Sequence, residues 1–338
     1  PERFGHDYKK RPYIIRFVTC RDVDVENITL KDSPMWVQHY LGCTDVSIRG
    51  ITVRSRVAPN NDGININSCR NVRISGANIW SGDDALVLKS SSARPTENVT
   101  VTNCVLSSKC NAFKLGTESN GGFRNITASN LVIYDTNLSG IAIEEVDGGT
   151  LEQVSVSDVV MKNVGNAIFV RLGDRARPYP GQEKPGMGRM RNVSISDVQA
   201  YNVGTTGGSI TGQPDRPIEN VTLENIRLVY EGGVGEEQAG KDVPLRPEGY
   251  PEFSMFGQLP AYGLYARHVK NLDVRGVEVS FREKDMRPAF ILEEVTDARF
   301  FNVEAERAED GAPSLRTRGT VEDLSVTASP DLPAPNDR

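Results

Sequence analysis

The chain has 338 residues, with 39 Lys and Arg against 45 Asp and Glu. The resulting net charge of −6 leaves no basic excess to bind a nucleic-acid backbone. No apolar run approaches the roughly 18 residues that a membrane span needs, so neither nucleic acid nor membrane is expected as a partner. Five cysteines without a Cys-x-x-Cys pair, and only three histidines, argue against a bound metal, and no cofactor is expected.

The opening PERFGHDYKK has no apolar core and does not read as a leader peptide. It also offers no helix to cap a solenoid, so the expectation is a chain lacking N-terminal coils, secreted or periplasmic in use. From Asp22 onward a short unit keeps returning: DVDVENITL at Asp22, DVSIRGITV at Asp45, NVRISGANI at Asn71, NVTVTNCVL at Asn98, NITASNLVI at Asn125 and QVSVSDVVM at Gln153. It resumes at Asn192, Asn220, Asn271 and Asp297, and in degraded form at Asp323, with spacings of 23, 26, 27, 27, 28, 39, 28, 51, 26 and 26. Each unit holds two apolar pairs with period-2 alternation, which is the pattern of strands. A fixed period of 20–50 residues marks a solenoid, whereas a β-sandwich predicts no such repeat. The fold expected is all-β, a right-handed parallel β-helix forming one domain over residues 1–338. About eleven coils at roughly 4.8 Å give a rod on the order of 50 Å long.

Cys20, Cys43 and Cys69 each stand two residues before a repeat start. They are expected to stack at one corner as small buried side chains rather than to pair as disulfides. Asn98, Asn125, Asn192 and Asn220 lie in Asn-x-Ser/Thr triplets, but all at one repeat position, which fits an asparagine ladder better than glycosylation. Residues 171–191 and 229–262 break the rhythm as Gly/Pro-rich insertions, and such loops commonly gather on a binding face. The second carries Tyr250, Phe253, Phe256 and Tyr262, rings suited either to stacking on sugars or to pinning the loop to a coil.

Each coil also has a second strand. Aligning DGINI, DALVL, NAFKL, SGIAI and NAIFV places Asp62, Asp84, Asn111, Ser139 and Asn166 in one column. Asp62 and Asp84 then lie about one strand spacing apart, roughly 5 Å. Asp83 must point differently, because side chains alternate along extended backbone. Three carboxylates on two adjacent coils cannot all ionise freely, and a pair that divides the proton unequally is what glycoside hydrolysis requires.

The motifs SPMW with His39, PNNDGI at Pro59 to Ile64, and GDDALVLKS at Gly82 to Ser90 resemble those of glycoside hydrolase family 28, the polygalacturonase family. The resemblance covers residues 11–170 and implies a parallel β-helix that cleaves a pectic or related polysaccharide with inversion. It further implies Asp83 as general acid, with Asp62 and Asp84 activating water. Two departures stand out. Where the family has Gly-His-Gly this chain has Cys110, Asn111 and Ala112, and where it has Arg-x-Lys this chain has Ala142 and Glu144. Losing two cations points to an altered sugar, or to replacement by Lys89, Lys114 or Arg171. With Asn111 and Glu144 these form the expected substrate-binding set. Putting Arg at 142 and Lys at 144 is accordingly expected to raise activity on polygalacturonate.

Glu145 reads as either a sugar ligand or part of a solvated face, and His39 and His268 as packed histidines. Two other readings stay open: a polysaccharide lyase using Lys89 or Lys114 as base, and a non-catalytic carbohydrate-binding β-helix. The expected partner is a polysaccharide or oligosaccharide, met by a monomer.

Overall fold

The structure, a computed structural model, describes residues 11–332. The opening segment read above as neither leader nor cap lies outside the described residues. Each strand pairs in parallel with the equivalent strand one repeat later. Gln38–Leu41 pairs with Ile64–Asn67, which pairs with Leu86–Ser90, which pairs in turn with Phe113–Ser119. On the other faces Thr44–Arg49 pairs with Arg70–Ser75, and Thr52–Ser55 with Asn78–Ser81. Wound together, these ladders form a parallel β-helix of about twelve turns.

The repeat has a direct physical cause. Its alternate apolar residues, such as Val46, Ile48, Val72, Ile74, Val99 and Val101, fill the interior of the coil and are almost wholly buried. Each contributes roughly 1.5–3 kcal/mol by leaving water. Its first residue turns the corner in the left-handed region, with φ of 58° at Asp45, 57° at Asn71, 56° at Asn98 and 53° at Asn125. Asn and Asp are the non-glycine residues that tolerate this conformation best. Their side chains then bond along the rod. Asn71 Nδ2 donates to Asp45 Oδ1 at 2.8 Å, Asn98 to Asn71 at 3.0 Å, Asn125 to Asn98 at 3.0 Å and Asn220 to Asn192 at 2.8 Å. The asparagine ladder read from the sequence is therefore present. The cysteine column is present too, since the Cys43 N–H donates to Cys69 Sγ at 3.3 Å and all five thiols are free.

Both insertions fold against the same face and touch each other, the Asp174 N–H donating to Pro247 O at 2.7 Å. The second is held by a column of arginines. Arg171 pairs in register with Thr211, Thr211 with Arg267, Arg267 with Glu293, and Glu293 with Arg318. Arg318 donates to Ala239 O and Lys241 O at 2.8 and 2.7 Å. Arg267 donates to Val243 O and Pro244 O at 2.5 and 3.1 Å, and Arg171 to Leu245 O and Arg246 O at 2.8 and 3.0 Å. The loop thus descends the outside of the rod, coil by coil, towards the acidic strands.

A second apolar cluster lies beneath the loop. Ala142, Phe169, Tyr265 and Ile291 of the sheet's outer face pack against Val243, Met255, Phe256 and Leu259 of the loop. Phe256 is therefore no sugar platform. Tyr262 is not one either, because it is 1% exposed in the main core with its hydroxyl donating to Glu306 O at 2.6 Å. Both rings serve to pin the insertion, while Tyr250 is 57% exposed.

Candidate active site

The column inferred from strand alignment is reproduced by the backbone. The Gly63 N–H donates to Asp84 O at 2.9 Å, the Ala85 N–H to Asn111 O at 2.8 Å and the Ala112 N–H to Ser139 O at 2.9 Å. Asp62, Asp84 and Asn111 therefore follow one another on consecutive coils, and Ser139 pairs in register with Asn166. Gly63 is required for this closeness: a Cβ there would lie 2.5 Å from Ala85 O.

Local hydrogen bonds fix the divergent directions of the Asp pair. The Ser81 and Ser108 hydroxyls each donate to Asp83 O at 2.6 Å, and Asp83 Oδ1 accepts the Asp84 N–H at 2.9 Å. Asp84 turns to the next coil, where its Oδ1 accepts the Asn111 N–H at 3.2 Å and the Asn111 Nδ2 at 2.9 Å. Asp62 is fully buried with Oδ1 unpartnered, and Lys89 Nζ lies 3.9 Å from its Oδ2. Burial and the neighbouring Asp84 charge raise the Asp83 carboxyl above its ordinary range. Burial and Asp83 raise Asp62 well above it. The protons of such a cluster belong to the group as a whole.

Two lysines hold this negative charge in place. Lys89 lies 3.2 Å from Glu118, whose carboxyl falls to about 2 chiefly through the Lys89 charge. Lys114 is 1% exposed, and its Nζ lies 3.7 Å from Asp84, 3.4 Å from Glu144 and 3.6 Å from Glu252. Both ammonium groups are held above their ordinary pKa by these carboxylates, which outweigh burial.

Glu118 and Glu252 were not singled out from sequence. Glu118 meets Lys89 because the strand bulges: Leu88 pairs with Leu115, but Ser90 pairs with Ser119. Glu252 arrives on the second insertion, beside Tyr250. The Thr117 hydroxyl lies 3.2 Å from the Tyr250 hydroxyl, and Lys114 Nζ and the Arg175 guanidinium each lie 5.8 Å from its ring centre. No periodicity in the loop indicates which coil it reaches.

Several sequence expectations take a different form. Arg171, expected as a cleft cation, is wholly buried and spends its donors on loop carbonyls and on Thr211. Burial and the Arg267 charge bring its pKa down to about 10. Glu144 is wholly buried beneath the insertion, where its Oε2 lies 3.2 Å from the Thr117 hydroxyl. Burial raises it to about 8 despite Lys114. Glu145 belongs to neither a sugar site nor a solvated face, because it is fully buried and accepts the Gly149 N–H at 2.9 Å. His39 is packed as expected, its ring centre 5.0 Å from that of Trp36 and 5.3 Å from that of Tyr13, and burial lowers it to about 4. His268 sits at a corner of the chain with φ of 51°.

An acidic cluster on one sheet of a parallel β-helix, walled by two insertions, places the chain among β-helical proteins of the polygalacturonase type. The structure of a hyperthermoactive exopolygalacturonase from Thermotoga maritima matches with a TM-score of 0.58 at 23% identity, covering 78% of this chain and 55% of that one. A family 28 exopolygalacturonase from Yersinia enterocolitica matches with a TM-score of 0.63 at 16% identity, covering 92% and 51%. The model for glycosyl hydrolases family 28 matches residues 3–246, and the chain belongs to that family. A probable polygalacturonase of Vitis vinifera is 28% identical over 229 residues, 64% of this chain and 46% of that protein. The chain spans about half the length of the curated relatives it matches.

Proposed function

We propose that the chain is a glycoside hydrolase that cleaves a pectic or related cell-wall polysaccharide with inversion at the anomeric carbon, acting as a monomer outside the cytoplasm. The observation that carries this reading is the Asp62–Asp84 register, with Asp83 diverging from it on the same strand end. Asp83, raised by burial and by Asp84, gives the proton to the leaving oxygen. Asp84, fixed by two Asn111 donors, and Asp62 hold the attacking water. In an inverting enzyme the acid and base carboxyls stand roughly 6.5–9.5 Å apart to admit that water.

The substrate is one whose sugar near Asn111 and Lys114 bears hydroxyls rather than a carboxylate. Lys89 and Lys114 each already contact at least two carboxylates, which leaves neither free for a uronate. The same pairing speaks against a lyase, whose base must lose its proton easily, whereas both lysines are held protonated. A screen of pectic, rhamnogalacturonan and algal oligosaccharides, with the anomeric configuration of products read by NMR, tests the proposal. Retained configuration refutes the mechanism. Efficient cleavage of unsubstituted homogalacturonan refutes the substrate reading.

A further inference from the structure

The second insertion does more than cover the rod. Its arginine-clamped stretch ends at Arg246 O, and the chain then delivers Tyr250 and Glu252 to the coil immediately beyond Asp84. One carboxylate oxygen of Glu252 is taken by Lys114, while its Oε2 is buried and makes no well-formed hydrogen bond, with the Asn111 side chain the nearby donor that favours the ionised carboxyl. A buried acceptor with nothing to accept is unfavourable, so the position is stabilised when a donor arrives. Tyr250, two residues earlier and largely exposed, offers a ring of the size and polarity that stacks against a sugar. Cations nearby are already engaged: Lys114 by three carboxylates, and Arg175 by Asp147, whose Oδ1 accepts the Arg175 Nε at 2.9 Å.

We propose that Glu252 is a specificity-determining residue, held in place by the Arg171–Arg267–Arg318 ladder, whose free oxygen accepts a hydrogen bond from a hydroxyl of an uncharged sugar stacked on Tyr250. This rests on the glycosidase reading and names the residue by which that site chooses its sugar. The described cations at this position, Lys114 and Arg175, are already paired with carboxylates, and Glu252 repels a uronate. The ladder makes the choice depend on residues far from the chemistry. Arg318, whose guanidinium donates to the loop carbonyls of Ala239 and Lys241, is a positioning residue for Glu252.

The test measures binding of a neutral galacto-oligosaccharide and of an oligogalacturonide of equal length by calorimetry, together with kcat and KM where turnover occurs. Glu252→Gln, Glu252→Ala and Arg318→Met are compared with the wild type. Glu252→Ala is expected to weaken the neutral ligand about tenfold and to narrow the preference over the uronide. The loss should fall in KM more than in kcat. Glu252→Gln keeps an acceptor oxygen and the side-chain volume, so it should retain neutral binding while removing the repulsion of the uronide. Arg318→Met should shift the preference in the same direction as Glu252→Ala, by less, at unchanged circular dichroism. Binding of both ligands unchanged within twofold in Glu252→Ala overturns the proposal, as does a wild type that binds only the uronide or neither. A wild type that binds the neutral ligand through Glu252 but cleaves nothing would sustain the specificity role and sink the glycosidase reading instead.

Discussion

Lys114 Nζ lies 3.6 Å from a carboxylate oxygen of Glu252, one group from an early coil and the other from the second insertion. The contact joins the rod to the loop at the coil next to Asp84, with the Lys114 side chain 2% exposed and that of Glu252 23% exposed. A buried ammonium among Asp84, Glu144 and Glu252 offsets the negative charge that gathers there. Lys114→Met is therefore expected to destabilise the protein by about 3 kcal/mol, the cost of leaving buried carboxylates without their cation. Urea denaturation would measure it. A loss below about 0.5 kcal/mol would mean that the cluster neutralises itself by taking up protons.

Asp83→Asn is the direct test of the proton donor. The Asp83 contacts that shape the turn run largely through its backbone carbonyl, which accepts from Ser81 and Ser108 and survives the substitution. The fold should persist by circular dichroism, while turnover on the best substrate falls roughly 10²–10⁴-fold. Retention of more than about a tenth of the rate would assign the proton to another group.

The rod itself was legible because one physical requirement recurs in every coil. Alternate apolar residues must face inward, and Asn or Asp must turn the corner at positive φ, so the sequence shows both at each repeat. The Asp62–Asp84–Asn111 column was legible for the same reason, since strand register carries neighbours along with it. Glu118 was hidden by a bulge that shifts the register by two residues and so brings it opposite Lys89. Glu252 was hidden because a non-periodic loop has no register, and its route is set by arginines spread over three distant strands. Arg171 was misjudged as a cleft cation because the sequence does not reveal that loop carbonyls would reach it.

Two buried groups should give stability opposite pH dependences. Glu144 is raised from 4.5 to about 8, so its protonated form is the one the fold prefers. Its contribution is fully present below about 4.5 and is lost as pH rises towards 8. His39 is lowered from 6.5 to about 4, so its neutral form is preferred, and its contribution is present above about 6.5 and lost as pH falls towards 4. Glu144→Gln should flatten the alkaline side of a Tm-against-pH profile, and His39→Gln the acid side. An alkaline limb unchanged in Glu144→Gln would mean that Lys114 keeps Glu144 ionised throughout.

The pair Ala142→Arg with Glu144→Lys separates the sequence reading from the structural one. Read from sequence, it restores two family cations and should improve cleavage of polygalacturonate. In the structure Ala142 is fully buried among Phe169, Phe256 and Tyr265, with the insertion packed over it, and Glu144 lies beside Lys114. An arginine at 142 must displace the loop, and overpacking alone costs about 1–3 kcal/mol before any charge is buried. A lysine at 144 sets a second ammonium against Lys114 and removes one of its three carboxylate partners. The double variant is therefore expected to lose stability, and to lose activity on the proposed neutral-sugar substrate as Glu252 moves with the loop, without gaining on polygalacturonate. Thermal denaturation alongside initial rates on both substrates would decide. A stable variant with raised polygalacturonate cleavage would mean that the loop lifts easily, leaving the subsite open to whatever cation the sheet presents.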